Sequence, residues 1–113
     1  MTRLIRWAVA AFYVLLATSA VSGTIRGSEQ NCMYLANSTV MVLMTKEANP
    51  SMTWAVAESQ LKQVLKEAIG DPNSYIADED DAILALRAFK AVWHGTDPAA
   101  IYDSCIRAKP ARG

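Results

Sequence analysis

Residues 49–70 read NPSMTWAVAESQLKQVLKEAIG. Within them Trp54, Ala57, Leu61, Val64, Leu65 and Ala68 recur every three or four positions. That spacing gathers side chains on one face of an α-helix. Asn49 or Ser51 can cap the start, and Pro50 fits a first helical turn. Gly70 reads as a left-handed stop, and Asp71-Pro72-Asn73 is turn chemistry. The stretch therefore predicts a helix from about Pro50 to Ile69. Its charges add little: Glu58 and Lys62 attract at a spacing of four, whereas Lys62 and Lys66 repel at the same spacing.

Outward from this helix the same period recurs. Upstream, a helix is predicted over residues 31–48. Its apolar residues, among them Cys32, Met33, Tyr34, Leu35, Val40, Met41, Val42, Leu43 and Met44, cover more than one face. A helix apolar on several sides is central in a bundle, or it lines a surface for a partner. Downstream, Ser74 to Ala77 form a connector, and Asp78-Glu79-Asp80-Asp81 open a third helix with acids at the positive end of its dipole. Ala82, Ala85, Leu86, Phe89 and Trp93 form its stripe, and Gly95 ends it. Thr96-Asp97-Pro98 cap a fourth, short helix through about Ala108, with Ile101, Tyr102, Cys105 and Ile106 inward. No stretch alternates apolar and polar residues over a strand length. The expected fold is all-α, a small four-helix domain over residues 31–108, with a flexible lead at 24–30 and a tail at 109–113.

The front of the chain differs. Arg3 and Arg6 precede the uncharged run WAVAAFYVLLA, residues 7–17, and small residues follow to Gly23. This is the three-part pattern of a secretory signal peptide over residues 1–23, with cleavage after Ala20, Ser22 or Gly23. The alternative is an uncleaved anchor, since Trp7 to Ile25 is uncharged over a length that can span a bilayer. Either way Arg3 and Arg6 stay cytoplasmic and the remainder is exported. The expected address is periplasmic or secreted, or else inner-membrane anchored with the domain outside the cytoplasm.

Removing that segment resolves the composition. The whole chain of 113 residues is 52% hydrophobic, with 11 basic and 11 acidic side chains. Beyond Gly23 the hydrophobic share falls to about 48%, an ordinary globular value, and the net charge becomes −2. Such a balance excludes nucleic acid as an obligatory partner, because phosphate binding needs clustered Lys and Arg.

Cys32 and Cys105 are the only cysteines. In an exported chain an even number points to a disulfide. Here it would tie the first helix to the last, against the alternatives of two free buried thiols or an intermolecular bridge. In the chain-entropy model a loop of about 74 residues makes such a bond worth about 4 kcal/mol. A redox-catalytic role is poorly supported, because the two are far apart and form no C-x-x-C.

Little else suggests chemistry. One histidine and two cysteines do not furnish a zinc site or a histidine-based triad. His94 precedes Gly95 at a helix end, where an imidazole suits the negative dipole pole. The run Asp78 to Asp81 lacks the D-x-[DN]-x-[DN]-G spacing of a calcium loop. G-x-S-x-G, H-E-x-x-H, P-loop and G-x-G-x-x-G patterns are absent, so no catalytic residue, metal or cofactor is expected. Asn37-Ser38-Thr39 matches a glycosylation sequon but falls within a predicted helix. Met33, Met41, Met44 and Met52 read first as core packing and second as an adaptable groove for a partner helix. Trp54 and Trp93 fit the core stripes. Tyr75, on the connector, is the better exposed contact. Tyr75, Met41 and Met44 are therefore the candidate partner-contact residues.

Asn31-Cys32-Met33-Tyr34-Leu35, the segment Ala82 to Trp93, and Asp97-Pro98-Ala99-Ala100-Ile101-Tyr102-Asp103-Ser104-Cys105 together resemble small exported helical proteins of proteobacteria and their phages. At Cys32 to Leu35 and Pro98 to Cys105 the chain is similar to HdeA-type periplasmic acid-stress chaperones, which are helical and stapled by one disulfide. The helix–Asp71-Pro72–helix order is similar to periplasmic immunity proteins of the Tai type, which neutralise cell-wall hydrolases. The signal peptide, the small helical domain and the missing catalytic constellation together point to a non-enzymatic envelope protein that binds another protein, as an inhibitor or immunity-like factor. The alternatives are a membrane-tethered phage accessory protein in lysis or superinfection exclusion, and an acid-activated chaperone. Membrane contact is expected only if residues 7–22 are retained, and the oligomeric state is left open.

Overall fold

Ser28 accepts a hydrogen bond from Asn31 N–H and starts α1, Glu29–Ala48, with Lys46 in its last turn facing the negative pole of the dipole. Helix α2 spans Trp54–Ile69, α3 Glu79–Trp93 and α4 Pro98–Arg107. The computed structural model describes residues 23–108. The predicted export segment and the tail at 109–113 lie outside the described residues, apart from Gly23. Among the described residues no helix is long and apolar enough to cross a membrane.

The all-α, four-helix architecture follows the sequence, and the boundaries shift in instructive ways. Helix α2 begins at Trp54 instead of Pro50. Met52 N–H closes a turn onto the Asn49 carbonyl (2.9 Å), and Thr53 then caps the helix by accepting from Val56 N–H (3.3 Å). Gly70 is not left-handed. It sits at φ −84°, ψ 0°, and the chain leaves α2 through a turn in which the Asp71 carboxylate accepts from Asn73 N–H at 2.9 Å. The left-handed stop occurs at Gly95, φ +118°. There Gly95 N–H reaches the Val92 carbonyl (3.0 Å) and Thr96 N–H the Ala91 carbonyl (2.9 Å). This paired pattern closes a helix in a Schellman motif. Asp97 then caps α4, with Pro98 at its first position.

Helices α1 and α3 form the centre: they pack on each other, α3 also packs on α2, and α1 also packs on α4. The buried core reflects that order: Leu35 and Val42 from α1, Ala57 and Leu65 from α2, and Ala85, Ala88, Phe89, Val92 and Trp93 from α3. Ala85 and Ala88 are the small members of the α3 core, and on α1 the buried Thr39 satisfies its hydroxyl by donating to the Ala36 carbonyl. Lys46 extends from the end of α1 to the end of α3. Its ammonium donates to the Trp93 carbonyl at 2.6 Å and lies 5.4 Å from the Trp93 ring centroid. One side chain thereby caps an orphan helix carbonyl and makes a cation–π contact.

Cys32 and Cys105 are joined in a disulfide, tying α1 to α4. Ile25 seals it: the side chain is fully buried, and its carbonyl lies 3.3 Å from Cys32 Sγ and 3.7 Å from Cys105 Sγ. The sequence reads residues 24–30 as a flexible lead, but this segment is docked. Gly27 N–H donates to the Cys105 carbonyl at 2.9 Å, and Thr24 donates twice to Asp81. The physical reason is that Ile25 is large and apolar enough to be drawn into the core, an effect of about 2 kcal/mol, and polar groups on either side find fixed acceptors.

Candidate functional site: an apolar cleft between α1 and α2

Because α1 and α2 each pack on α3 and hardly on each other, a cleft opens between them. Its volume is about 340 Å³. Met41, Val42 and Thr45 of α1 form one wall. Leu61, Val64 and Leu65 of α2 form the other, and Phe89 and Trp93 of α3 lie at its floor. The lining is predominantly apolar. Met41 is 66% exposed and Val64 48% exposed on opposite walls. Met44, one turn from Met41, is 61% exposed. Methionine is unbranched and polarizable, so a wall carrying it can adapt to the contours of an apolar partner.

One end of the cleft is held by a tyrosine pair. Tyr75 and Tyr34 have ring centroids 5.9 Å apart. The Tyr75 hydroxyl donates to Ser38 Oγ (2.8 Å), and Ser38 in turn donates to the Tyr34 carbonyl (2.9 Å). This relay fixes the connector against α1. Burial, opposed by the Ser38 hydrogen bond and aided by the charge of Asp81, holds the Tyr75 phenol above its ordinary pKa, so it remains a donor. The other end carries aromatic packing. Trp54 lies over Trp93 with centroids 5.7 Å apart, and His94 meets the Trp54 ring edge-on at 6.2 Å. His94 is exposed, and its Nδ1 lies 3.0 Å from the Lys90 carbonyl. This places it at the C-cap of α3.

Of the candidate contact residues, Tyr75 and Met41 line the same cleft, and Met44 is exposed beside it. Tyr75 is half-buried and hydrogen-bonded; the sequence had placed it as an exposed contact. Its connector is folded back under α1, which no local pattern indicates. The methionines also differ from the core-first reading: Met33, Met41 and Met44 are exposed, and only Met52 packs against the core. Sequence reasoning missed the α2 wall. Val64 was assigned to the core stripe with Leu61 and Leu65, yet α3 covers only part of that stripe.

A second polar constellation lies at the start of α3. Asp78 caps the helix, accepting from Asp81 N–H with Oδ1 (3.0 Å), while its Oδ2 accepts from Gly23 N–H (2.8 Å). Asp81 has no exposure, and its carboxylate accepts from Thr24 N–H (2.6 Å), Thr24 Oγ1–H (2.8 Å) and Ala77 N–H (2.9 Å). Burial raises its pKa above the ordinary carboxylate value, the Thr24 and Ala77 hydrogen bonds oppose that shift, and the neighbouring Asp78 charge adds to it. Of the four acids read from sequence as a helix start, Glu79 and Asp80 are exposed, whereas Asp78 and Asp81 hold the lead. Among the described residues no three His, Cys, Asp or Glu side chains form a group able to hold a metal. Compared with known proteins, the chain matches no family model, no curated protein and no solved structure.

Proposed function

We propose that this protein acts outside the cytoplasm by binding another protein, and that the partner's apolar helical stripe seats in the α1–α2 cleft. The observation that carries the reading is the cleft itself: two apolar walls standing apart over a buried aromatic floor, with Met41 and Val64 left open to solvent. Exposed apolar surface concentrated in a groove marks interaction sites more often than scattered exposed residues do. The disulfide and the leader-like front of the chain are consistent with an oxidising, extracytoplasmic setting. The resemblance to immunity proteins makes an envelope hydrolase the preferred partner class, with the protein as its inhibitor. A tethered form differs only in whether residues 1–22 are retained.

Photo-crosslinking in intact cells tests this. A crosslinking residue is placed at Met41 or at Val64, with Asp103 on the exposed side of α4 as the control site. The reading predicts the same adduct from both cleft positions and none from Asp103. Equal adducts from all three positions, or none from the cleft, would contradict it, as would turnover of a substrate by the purified protein.

A further inference from the structure

We propose that processing cuts the Ser22–Gly23 bond and that the freed Gly23 amino group docks as an ammonium ion on the Asp78 carboxylate. The inference rests on the export reading above and not on the cleft. Gly23 N already lies 2.8 Å from Asp78 Oδ2, donating a single N–H. Next to it, Thr24 N–H and Oγ1–H engage both oxygens of the buried Asp81. Two carboxylates thus converge on the first described residues of the lead and receive only neutral donors. Among the described residues the one ion pair is Arg107–Asp103 on α4; Arg26 and Arg87 line the cavity beside Gly23 and Asp81 but stand beyond ion-pair distance of Asp78 and Asp81. A chain terminus at Gly23 supplies the missing positive charge where the nitrogen already sits.

The choice among cut sites follows from burial. A cut after Gly23 would put the new charge at Thr24, against a fully buried carboxylate, where desolvation of the ammonium offsets much of the attraction. A cut after Ser22 puts it at Gly23, which is no more exposed than Thr24 but faces the partly exposed Asp78 carboxylate in place of the fully buried Asp81. The ion there keeps one direct carboxylate partner and leaves its two additional N–H donors to water. A cut after Ala20 leaves two residues beyond the pocket and no charge in it. Ala20 and Ser22 are also the small residues, three and one positions before the cut, that a signal peptidase accepts. In the reaction, water adds across the Ser22–Gly23 peptide bond. The hydroxyl joins the Ser22 carbonyl carbon to give a carboxylate, and the nitrogen leaves as the Gly23 amine and takes up a proton. The cut precedes folding, and docking then fixes the lead with Ile25 over the disulfide.

The test expresses the full chain in an export-competent bacterium. It reads the intact mass of the purified protein and the rate at which an amine-reactive reagent labels its α-amino group. The expected mass begins at Gly23. Labelling is expected to be about tenfold slower than in Asp78→Asn, one pKa unit of charge stabilisation corresponding to a tenfold change in free amine. Asn caps a helix as well as Asp does, so Asp78→Asn keeps the fold. Glu47→Gln, which removes an exposed charge at the opposite end of α1 from the lead, should label at the wild-type rate. A mass beginning at any other residue, or equal labelling in wild type and Asp78→Asn, overturns the proposal. A chain that keeps residues 1–22 at the membrane overturns it while leaving the tethered form of the function standing. A chain that remains in the cytoplasm overturns it together with the export reading.

Discussion

Asp81 shows how much a single side chain can organise. It is fully buried and accepts three hydrogen bonds, two from Thr24 in the lead and one from Ala77 in the connector. Asp81→Ala would strand those donors, and each buried unsatisfied group costs on the order of 1–3 kcal/mol. The expected loss is about 3 kcal/mol, read from the denaturant midpoint at unchanged m-value. The same residue makes a signed pH prediction. Its folded pKa is raised above the unfolded value, chiefly by burial. Between those two values the folded state holds the extra proton, so this group's contribution grows as pH falls and is lost as pH rises through the raised value. With Gly23 N-acetylated, so that no ammonium faces the pair, the wild type should gain stability relative to Asp81→Asn on acidification through that window. A relative loss would contradict the assignment.

Periodicity carried most of the helix assignment, and capping competition explains where it slipped. Asn49, Ser51 and Thr53 all have capping side chains, and Thr53 wins because its oxygen meets Val56 N–H once Met52 has closed the preceding turn. The helix-ending glycine at position 95 was legible, because a chain turning directly into Asp97-Pro98 needs a left-handed residue there. Gly70 was misread, because Asp71 provides an alternative exit through its own side chain. An added Cβ at Gly95 meets nothing within 4 Å, so only its φ of +118° resists substitution. Gly95→Ala should cost about 1–2 kcal/mol through backbone strain alone, lowering Tm with no change in packing. Loss beyond that would mean the α3–α4 turn is tighter than described. The cleft was half legible. Too many apolar residues around α1 signalled an uncovered face at Met41 and Met44. The facing wall at Val64 was not legible, because a stripe on α2 does not say how much of it α3 will cover. The docking of Gly23 and Thr24 on Asp78 and Asp81 spans more than fifty positions of sequence and leaves no local pattern.

At the scale of the molecule, α3 joins two halves that are secured differently. The α1–α4 half is stapled by the Cys32–Cys105 bond and sealed by Ile25. The α2 half depends chiefly on packing against α3. Reduction should therefore cost about 4 kcal/mol in the chain-entropy picture, comparable with the whole stability of a small domain. Thermal melts with and without reductant measure it. An unchanged Tm on full reduction would show that packing suffices without the staple. The arrangement also suits binding, because the half that bears one wall of the cleft is held less tightly and can adjust to an occupant.

Cleft recognition is the central claim, and the most direct measurement is the affinity of the crosslinked partner, once purified, for Met41→Glu and Val64→Glu. Both positions are exposed, so each variant should keep the wild-type Tm within about 0.5 kcal/mol of stability. Each should lose at least tenfold in affinity, because a carboxylate is desolvated where an apolar wall was contacted. Wild-type affinity in both variants, with the fold intact, would contradict the account.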